Sequence, residues 1–97
     1  MESIKTMIIK EIDEYEATNG SIGYDVKSNL VEPIAESYYT NDGHVFELIT
    51  VFREGEDGYN IAYDPDDKLF CLGYKNKDEK LYYVGHYGSF MYTYICM

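Results

Sequence analysis

The stretch Tyr59–Tyr87, YNIAYDPDDKLFCLGYKNKDEKLYYVGHY, decides the fold of this 97-residue chain. Its first segment has the period of two that is typical of strands, with one face carrying Tyr59, Ile61 and Tyr63. Pro65-Asp66 fits the centre of a type I turn, and Asn76–Glu79 supplies a second turn. Short apolar runs joined by tight turns predict three antiparallel strands.

A second hairpin is predicted upstream, around the turn Asn41-Asp42-Gly43. The segment after it, His44–Glu54, is the longest strand candidate, and its alternation places Phe46, Leu48 and Phe52 on one face. The segment before it, Pro33–Thr40, fits either a short helix opened by Pro33 or a strand. We favour the strand, because a hairpin turn needs a strand on each side.

The first residues predict an amphipathic helix over Ser3–Tyr15, with apolar residues recurring at spacings of three and four. Ser3 is the expected N-cap, and Gly20 suits a left-handed position after the helix. Ser21–Lys27 then alternates between apolar and polar residues, which predicts a strand. At the other terminus, a bend at glycines is expected to precede a last strand, Phe90–Cys96.

Together these elements predict a single α+β domain over residues 1–97. One N-terminal amphipathic helix packs on an antiparallel meander sheet of five to seven strands. No apolar stretch approaches the length of a membrane helix, and Met1–Lys10 does not resemble a signal peptide. We therefore expect a cytoplasmic protein in which Cys71 and Cys96 are free thiols.

Charge is distributed unevenly along the chain. Residues 1–67 carry sixteen Asp/Glu and four Lys/Arg, whereas residues 68–97 carry two and four, which together make the net charge of −10. Such a charge repels nucleic acid and anionic membranes and attracts basic surfaces. Direct nucleic-acid binding would also need a stripe of Lys and Arg, which eight such residues do not supply.

The meander topology would gather the acids at the turns, because successive turns alternate between the two ends of the sheet. For each acid alone, ordinary turn chemistry is a sufficient explanation. The collective excess suggests a cationic partner as the alternative, met by carboxylates and by exposed aromatic rings. The residues predicted to bind it are Glu54, Glu56, Asp57, Tyr59, Tyr63, Asp64, Asp66 and Asp67.

No metal, cofactor or catalytic residue is predicted. Counted from Asp64, an EF-hand loop would need Gly at the sixth position and Glu at the twelfth, where this chain has Leu69 and Lys75. Zinc could be held by His44, Cys71, His86 and Cys96, but these lack the short spacing of a zinc motif. Either His could act as a general base, yet neither lies in a recognisable nucleophile motif.

Tyrosine is the remaining signal, since the uncharged segment Leu81–Met97 holds five of the twelve tyrosines. Half-buried rings with solvated hydroxyls are the ordinary explanation. Tyrosine is also enriched in interfaces. The last predicted strand could therefore be buried within the monomer or be an edge that pairs with a second copy, and we favour burial.

The run IAYDPDDKLFCLGYKNKDEKLYYVGHYG, residues 61–88, resembles the central strands of one family of toxin-immunity domains. Both have an acidic turn, a strand, and a later aromatic strand that ends near a His. The likeness covers under a third of the chain, which lacks the longer helical segments that flank the sheet in such domains. It implies the same class of function as the charge, a small acidic protein that neutralises a partner acting on nucleic acid.

The sequence thus predicts a small acidic non-enzymatic inhibitor of the toxin-immunity or phage counter-defence (anti-CRISPR) type. It would bind and block a basic, nucleic-acid-handling protein such as a nuclease, a toxin or a nucleic-acid-binding effector, partly by mimicking nucleic-acid charge. The alternative is a small-molecule-binding or homo-oligomerising module that uses the Tyr-rich C-terminal strands, with a possible homodimer through the last strand.

Overall fold

A computed structural model describes residues 3–20, 23–55, 58–76, 78 and 80–96 of the chain. Five strands form one continuous antiparallel meander, with helices before and after it. The elements in chain order are α1 (Ile4–Asn19), α2 (Gly23–Ser28), β1 (Leu30–Tyr39), β2 (Val45–Arg53), β3 (Tyr59–Asp64), β4 (Leu69–Lys75), β5 (Leu81–Gly88) and α3 (Phe90–Ile95).

Helix α1 begins and ends where its caps dictate. The Ser3 side chain accepts a hydrogen bond from the Thr6 backbone N–H at 3.1 Å, as an N-cap does. At the other end Gly20 has a φ of 92°, and its N–H donates to the Glu16 carbonyl. The helix is one turn longer than predicted, because the positive-φ glycine and not Tyr15 ends it.

Within the described residues, no helix is long and apolar enough to cross a membrane.

The strands close into a barrel. Each consecutive pair is antiparallel, and β1 also pairs in parallel with β5 at Tyr38↔Leu81 and Tyr39↔Tyr82. The predicted α+β class, with an N-terminal helix on a five-stranded meander, is confirmed. Residues 33–39, which fitted either helix or strand, lie in β1.

The barrel has two ends, which we name by their loops. The "aspartate end" comprises residues 40–44 and 65–68, the β1–β2 and β3–β4 connections. The "lysine end" comprises the described residues of the β2–β3 and β4–β5 connections, which are 54, 55, 58, 76, 78 and 80, together with the strand residues Arg53 and Lys75.

Two predicted strands are wrong. Residues 21 and 22 lie outside the described residues, and the rest of the segment Ser21–Lys27 belongs to helix α2, whose Val26 is fully buried. The last segment is helix α3, not a strand, because the Ser89 side chain caps it by accepting from the Tyr92 N–H at 3.2 Å. Residues 90–95 therefore do not form the edge strand on which the predicted C-terminal dimer depends.

Two apolar cores lie on opposite sides of the barrel wall. The outer core lies between the barrel and the helices and includes Ile8, Ile12, Val26, Phe52, Ile61, Phe70 and Phe90. The inner core fills the barrel with Tyr38, Leu48, Ala62 and Cys71. Phe52 and Leu48 were predicted on one face, but a register shift between Thr50 and Phe52 turns Phe52 to the outer core.

Tyr38 fills the barrel interior because the facing strand has no side chain at Gly73. A Cβ atom built on Gly73 would lie 2.6 Å from the Tyr38 ring, closer than side chains pack. The Tyr38 hydroxyl lies 2.5 Å from the Thr50 hydroxyl, so the ring's polar atom is satisfied inside the barrel. The phenol thus reaches across the interior from β1 to Gly73 on β4 and to Thr50 on β2.

Candidate partner-binding surface

The predicted partner-binding residues occupy three different environments. Glu54, Asp66 and Asp67 are exposed, and Tyr59 is 39% exposed on the outer surface of the barrel. Asp64 is buried, and Tyr63 is half-buried against the outer core, with its ring centroid 5.0 Å from that of Phe70. Glu56 and Asp57 lie outside the described residues.

The exposed members do not form one patch. Glu54 and Tyr59 lie at the lysine end, whereas Asp66 and Asp67 lie at the aspartate end. Strand β3 separates the two groups, and its length corresponds to about 17 Å. The structure therefore brings together Asp66 with Asp67, and Glu54 with Tyr59.

Asp64 organises the turn at the aspartate end. Its Oδ1 accepts the backbone N–H of Asp66 at 2.9 Å and of Asp67 at 3.3 Å, while Oδ2 lies 2.9 Å from His86 Nε2. Burial alone would raise the pKa of Asp64, but hydrogen bonds from His86 and from the two N–H groups lower it below its ordinary value. Its carboxylate is thus committed to contacts within the chain.

His86 continues this network into the barrel. Its Nδ1 contacts the Tyr83 hydroxyl, and burial raises the pKa of that hydroxyl above its ordinary value. The ionised Asp64 carboxylate accepts from Nε2–H of His86. Both ring nitrogens of His86 are therefore engaged in contacts within the chain.

The same corner contains the best metal-ligating set of the described residues. Ligand atoms of Asp64, Cys71 and His86 all lie within 4.8 Å of one another, on three neighbouring strands. Burial, with a smaller contribution from nearby carboxylates, raises the pKa of the Cys71 thiol to about 12. A cation here would have to displace the His86–Asp64 hydrogen bond and the thiol proton. Of the four residues considered for zinc, this set contains only Cys71 and His86.

Four tyrosines form an exposed row that the sequence did not predict. Strand register places Tyr59 opposite Tyr74, Tyr74 opposite Tyr82, and Tyr82 opposite Tyr39. Side chains directly opposite one another share a face, and three strand spacings correspond to about 14 Å. We call these four residues the "tyrosine row".

Ring contacts make the row continuous over β4, β5 and β1. Tyr74 stacks on Tyr82 with centroids 5.7 Å apart, and Tyr82 lies 6.5 Å from Tyr39. Tyr74 and Tyr39 are 39% and 36% exposed, so the rings are available to a partner. Near the first ring, a surface cavity of about 380 Å³ is lined by Glu54, Gly58, Tyr59 and Tyr74.

Sequence reasoning missed the row because its members are scattered along the chain. It paired Tyr59 with Tyr63, which share a strand face, but Tyr63 is covered by the outer core. Only the pairing of β3 with β4, and of β5 with both β4 and β1, brings the four rings together. The signal in the sequence that indicates the row is a tyrosine near one end of each of the strand segments β1, β3, β4 and β5.

Carboxylates at the aspartate end provide the second exposed feature. Asp42 in the first hairpin loop and Asp66 and Asp67 in the β3–β4 turn are all exposed. Asp42 bonds to the Thr40 hydroxyl, which lowers the pKa of that carboxyl, and lies 3.4 Å from His44. These three residues, the "acidic triplet", present ionised oxygens to solvent.

Comparison of the chain with protein-family models, curated proteins and solved structures finds no match.

Proposed function

We propose that this chain is a small acidic, non-enzymatic inhibitor that binds and blocks a basic protein acting on nucleic acid. The tyrosine row is the observation that carries the proposal. Four rings on adjacent strands form a broad, rigid, half-exposed surface, and tyrosine gives large contact area at low entropy cost. A surface of this composition is typical of a binding site.

Net charge supports a basic partner. With eighteen carboxylates and eight Lys/Arg, the chain is attracted to the positively charged grooves by which proteins hold nucleic acid. Long-range attraction raises the rate of encounter, and a few desolvated anchors supply most of the affinity. In this proposal the acidic triplet and Glu54 steer the partner, and the tyrosine row anchors it.

The residues retained from the sequence prediction have different roles here. Glu54, Tyr59, Asp66 and Asp67 are proposed to contact the partner, and Glu56 and Asp57 remain predictions. Asp64 acts indirectly, since its hydrogen bonds to the backbone of Asp66 and Asp67 set the shape of the turn. Tyr63 is proposed to support the barrel from the outer core. We place the protein in the cytosol, where Cys71 and Cys96 stay reduced.

Affinity purification tests the proposal. The tagged chain is incubated with nuclease-treated lysate of the organism that encodes it, at low and at high salt, and retained proteins are identified by mass spectrometry. We expect a basic nucleic-acid-binding protein that is retained at low salt and reduced at high salt, because salt screens attraction between exposed charges. Recovery of no basic protein at low salt contradicts the proposal.

Matched variants separate the two features. Tyr74→Ser with Tyr82→Ser should abolish retention, whereas Tyr92→Ser, which alters an exposed ring on α3, should not. Neutralising the acidic triplet to Asn should slow association at low salt. Asp13→Asn, Glu14→Gln and Glu32→Gln together remove the same charge from α1 and β1 and should have a smaller effect. If the two sets of substitutions slow association equally, net charge alone accounts for the effect on association.

Self-association through the tyrosine row is the second candidate. The row is exposed and apolar enough to meet a copy of itself, which would bury both sets of rings. Light scattering on the purified chain distinguishes the two candidates. A stable dimer that Tyr74→Ser with Tyr82→Ser converts to monomer favours self-association. A monomer at all concentrations favours the inhibitor.

A further inference from the structure

A surface cavity lies where the barrel closes. It has a volume of about 670 Å³, within the range of small-molecule sites, and opens between β1, the end of β2 and the start of β5. In the described residues, β1 pairs with β5 only at Tyr38 and Tyr39. The wall is therefore open at Glu36 and Ser37, which line the cavity.

Three cations from separate segments converge on this cavity. Arg53 ends β2, Lys75 ends β4, and Lys80 precedes β5. They are three of the eight Lys/Arg in the chain, and among the described residues of the lining Glu36 is the one carboxylate. The described lining therefore carries three positive charges and one negative charge.

Two of these cations have no carboxylate partner in the part of the chain that the structure describes. The Glu36 carboxylate forms an ion pair with Arg53, which fixes the guanidinium at the cavity wall. The Lys80 ammonium lies 5.6 Å from the centroid of the Tyr39 ring, and neither it nor Lys75 forms an ion pair with a described carboxylate. Two ammonium groups in one cavity repel each other, and a bound anion would relieve that repulsion.

A buried amide adds a directional group. Asn60 is 3% exposed, lines the cavity from β3, and shares a hydrogen-bond network with Tyr38 and Thr50. The cavity therefore combines a buried polar group, two ammonium groups that no described carboxylate pairs with, and an aromatic ring at its margin. Convergent polar groups of this kind provide the orientation and specificity of a small-molecule site.

We propose that this cavity binds a small multivalent oxyanion, held by Lys75, Lys80 and Arg53. Phosphate and carboxylate groups both fit this chemistry, because each offers several acceptor oxygens to ammonium and guanidinium donors. The site is separate from the acidic triplet, and it shares Tyr39 with the tyrosine row. It adds a small ligand to a protein whose overall charge would repel anions at long range.

Isothermal titration calorimetry on the full chain at low salt tests this site, with inorganic pyrophosphate and citrate as separate probes. We expect saturable binding of at least one probe in the submillimolar range. Tighter binding of pyrophosphate indicates a phosphate ligand, tighter binding of citrate indicates a polycarboxylate, and equal binding indicates selection by charge alone. Failure of both probes to bind at millimolar concentration overturns the proposal.

Charge-matched variants locate the site. Lys75→Gln with Lys80→Gln should weaken binding by about tenfold or more, because each charge-assisted hydrogen bond contributes at least this order of affinity. Lys10→Gln with Lys68→Gln removes the same charge from exposed positions on α1 and in the β3–β4 turn, and should retain the affinity. Circular dichroism checks that both variants are folded. Equal weakening by the two pairs, or none by the first, overturns the assignment to this cavity.

Discussion

At the aspartate end, the buried Asp64 carboxylate meets three hydrogen-bond donors, which are His86 and the backbone N–H groups of Asp66 and Asp67. At the lysine end, among the described residues, Lys75 and Lys80 line a cavity without a carboxylate in ion-pair contact. Both ends belong to the same five-stranded barrel, so the difference does not come from the type of fold. It comes from how completely the described residues of each end satisfy one another's charges.

This contrast separates a structural network from a candidate ligand site. A buried charge whose donors are all within the chain contributes to stability, and its loss should be measured as unfolding free energy. Charges that converge on solvent-filled space contribute little to stability, and their loss should be measured as affinity. Loss of the Asp64 carboxylate should therefore change folding, and loss of the Lys75 and Lys80 ammonium groups should change binding.

The largest expected effect is the loss of the Tyr38 ring from the barrel interior that both ends share. Tyr38→Ala empties the barrel interior and should lower the free energy of unfolding by about 3–5 kcal/mol, as large-to-small core substitutions do. Tyr39→Ala removes the neighbouring ring from the outer surface and should cost about 1 kcal/mol or less. Urea denaturation measures both values. Similar losses for the two variants would contradict the inner position of Tyr38.

A second substitution examines the same interior from the opposite wall. Gly73→Ala should destabilise the fold by about 1–3 kcal/mol, because the new methyl group overlaps the Tyr38 ring. Gly85→Ala is the matched control, since its nearest contact, a Tyr87 ring atom at 3.6 Å, is ordinary packing. Combining Gly73→Ala with Tyr38→Leu should reduce the destabilisation caused by Gly73→Ala, because the overlapping ring is removed, but should not abolish it, because the Tyr82 carbonyl oxygen still lies 2.8 Å from the new methyl group. An additive double mutant would contradict this explanation.

The substitution Asp64→Asn tests the hydrogen-bond network at the aspartate end, through the pH dependence of the free energy of unfolding. At pH 7 the variant should be about 1–3 kcal/mol less stable, because a charged hydrogen-bond acceptor is lost. The folded-state pKa of Asp64 lies below its ordinary value of 3.8, so the ionised carboxylate stabilises the fold above that pH. This contribution is lost as pH falls through the folded-state pKa.

The stability difference between wild type and Asp64→Asn should therefore narrow as the pH approaches about 3, in urea titrations at a series of pH values. Asp66→Asn alters an exposed carboxylate in the same turn and leaves its backbone donor in place, so it should show little change at any pH. A difference that stays constant between pH 7 and pH 3 would show that ionisation of Asp64 is irrelevant to stability.

The smallest effect concerns thiol reactivity, with no change in stability. Burial raises the pKa of Cys71 to about 12, so its thiolate is scarce at neutral pH, and the side chain is 1% exposed. Cys96 is exposed at the end of α3. Iodoacetamide should modify Cys96 alone in the native protein and both cysteines in urea, as measured by mass spectrometry. Rapid native labelling of Cys71 would mean that the barrel opens at this corner.

Local patterns in the sequence were sufficient for most elements. Ser3 and Gly20 capped α1, and Asn41-Asp42-Gly43 placed a hairpin between two strands, because caps and turns depend on residues next to one another. The same reasoning gave the wrong element for residues 23–27 and 90–96, where short apolar patterns fit either period. In α3 the deciding interaction is the cap formed by Ser89, together with burial of Phe90 in the outer core.

The candidate sites depended on tertiary structure to a greater degree. Net charge and the acidic turns could be read from the chain, and Asp66, Asp67, Glu54 and Tyr59 are exposed as a partner surface requires. The burial of Asp64 could not be read from the chain. It requires His86, a residue twenty-two positions away, to lie on a neighbouring part of the barrel.

By itself, the sequence determined a negatively charged α+β chain with one capped helix and a meander of strands, since composition, caps and turns are local properties. Barrel closure, the tyrosine row and the cation-lined cavity were decided only by the tertiary structure. Each depends on strand register, above all the parallel pairing of β1 with β5. Register is set by side-chain packing over the whole barrel, which no short segment of the chain contains.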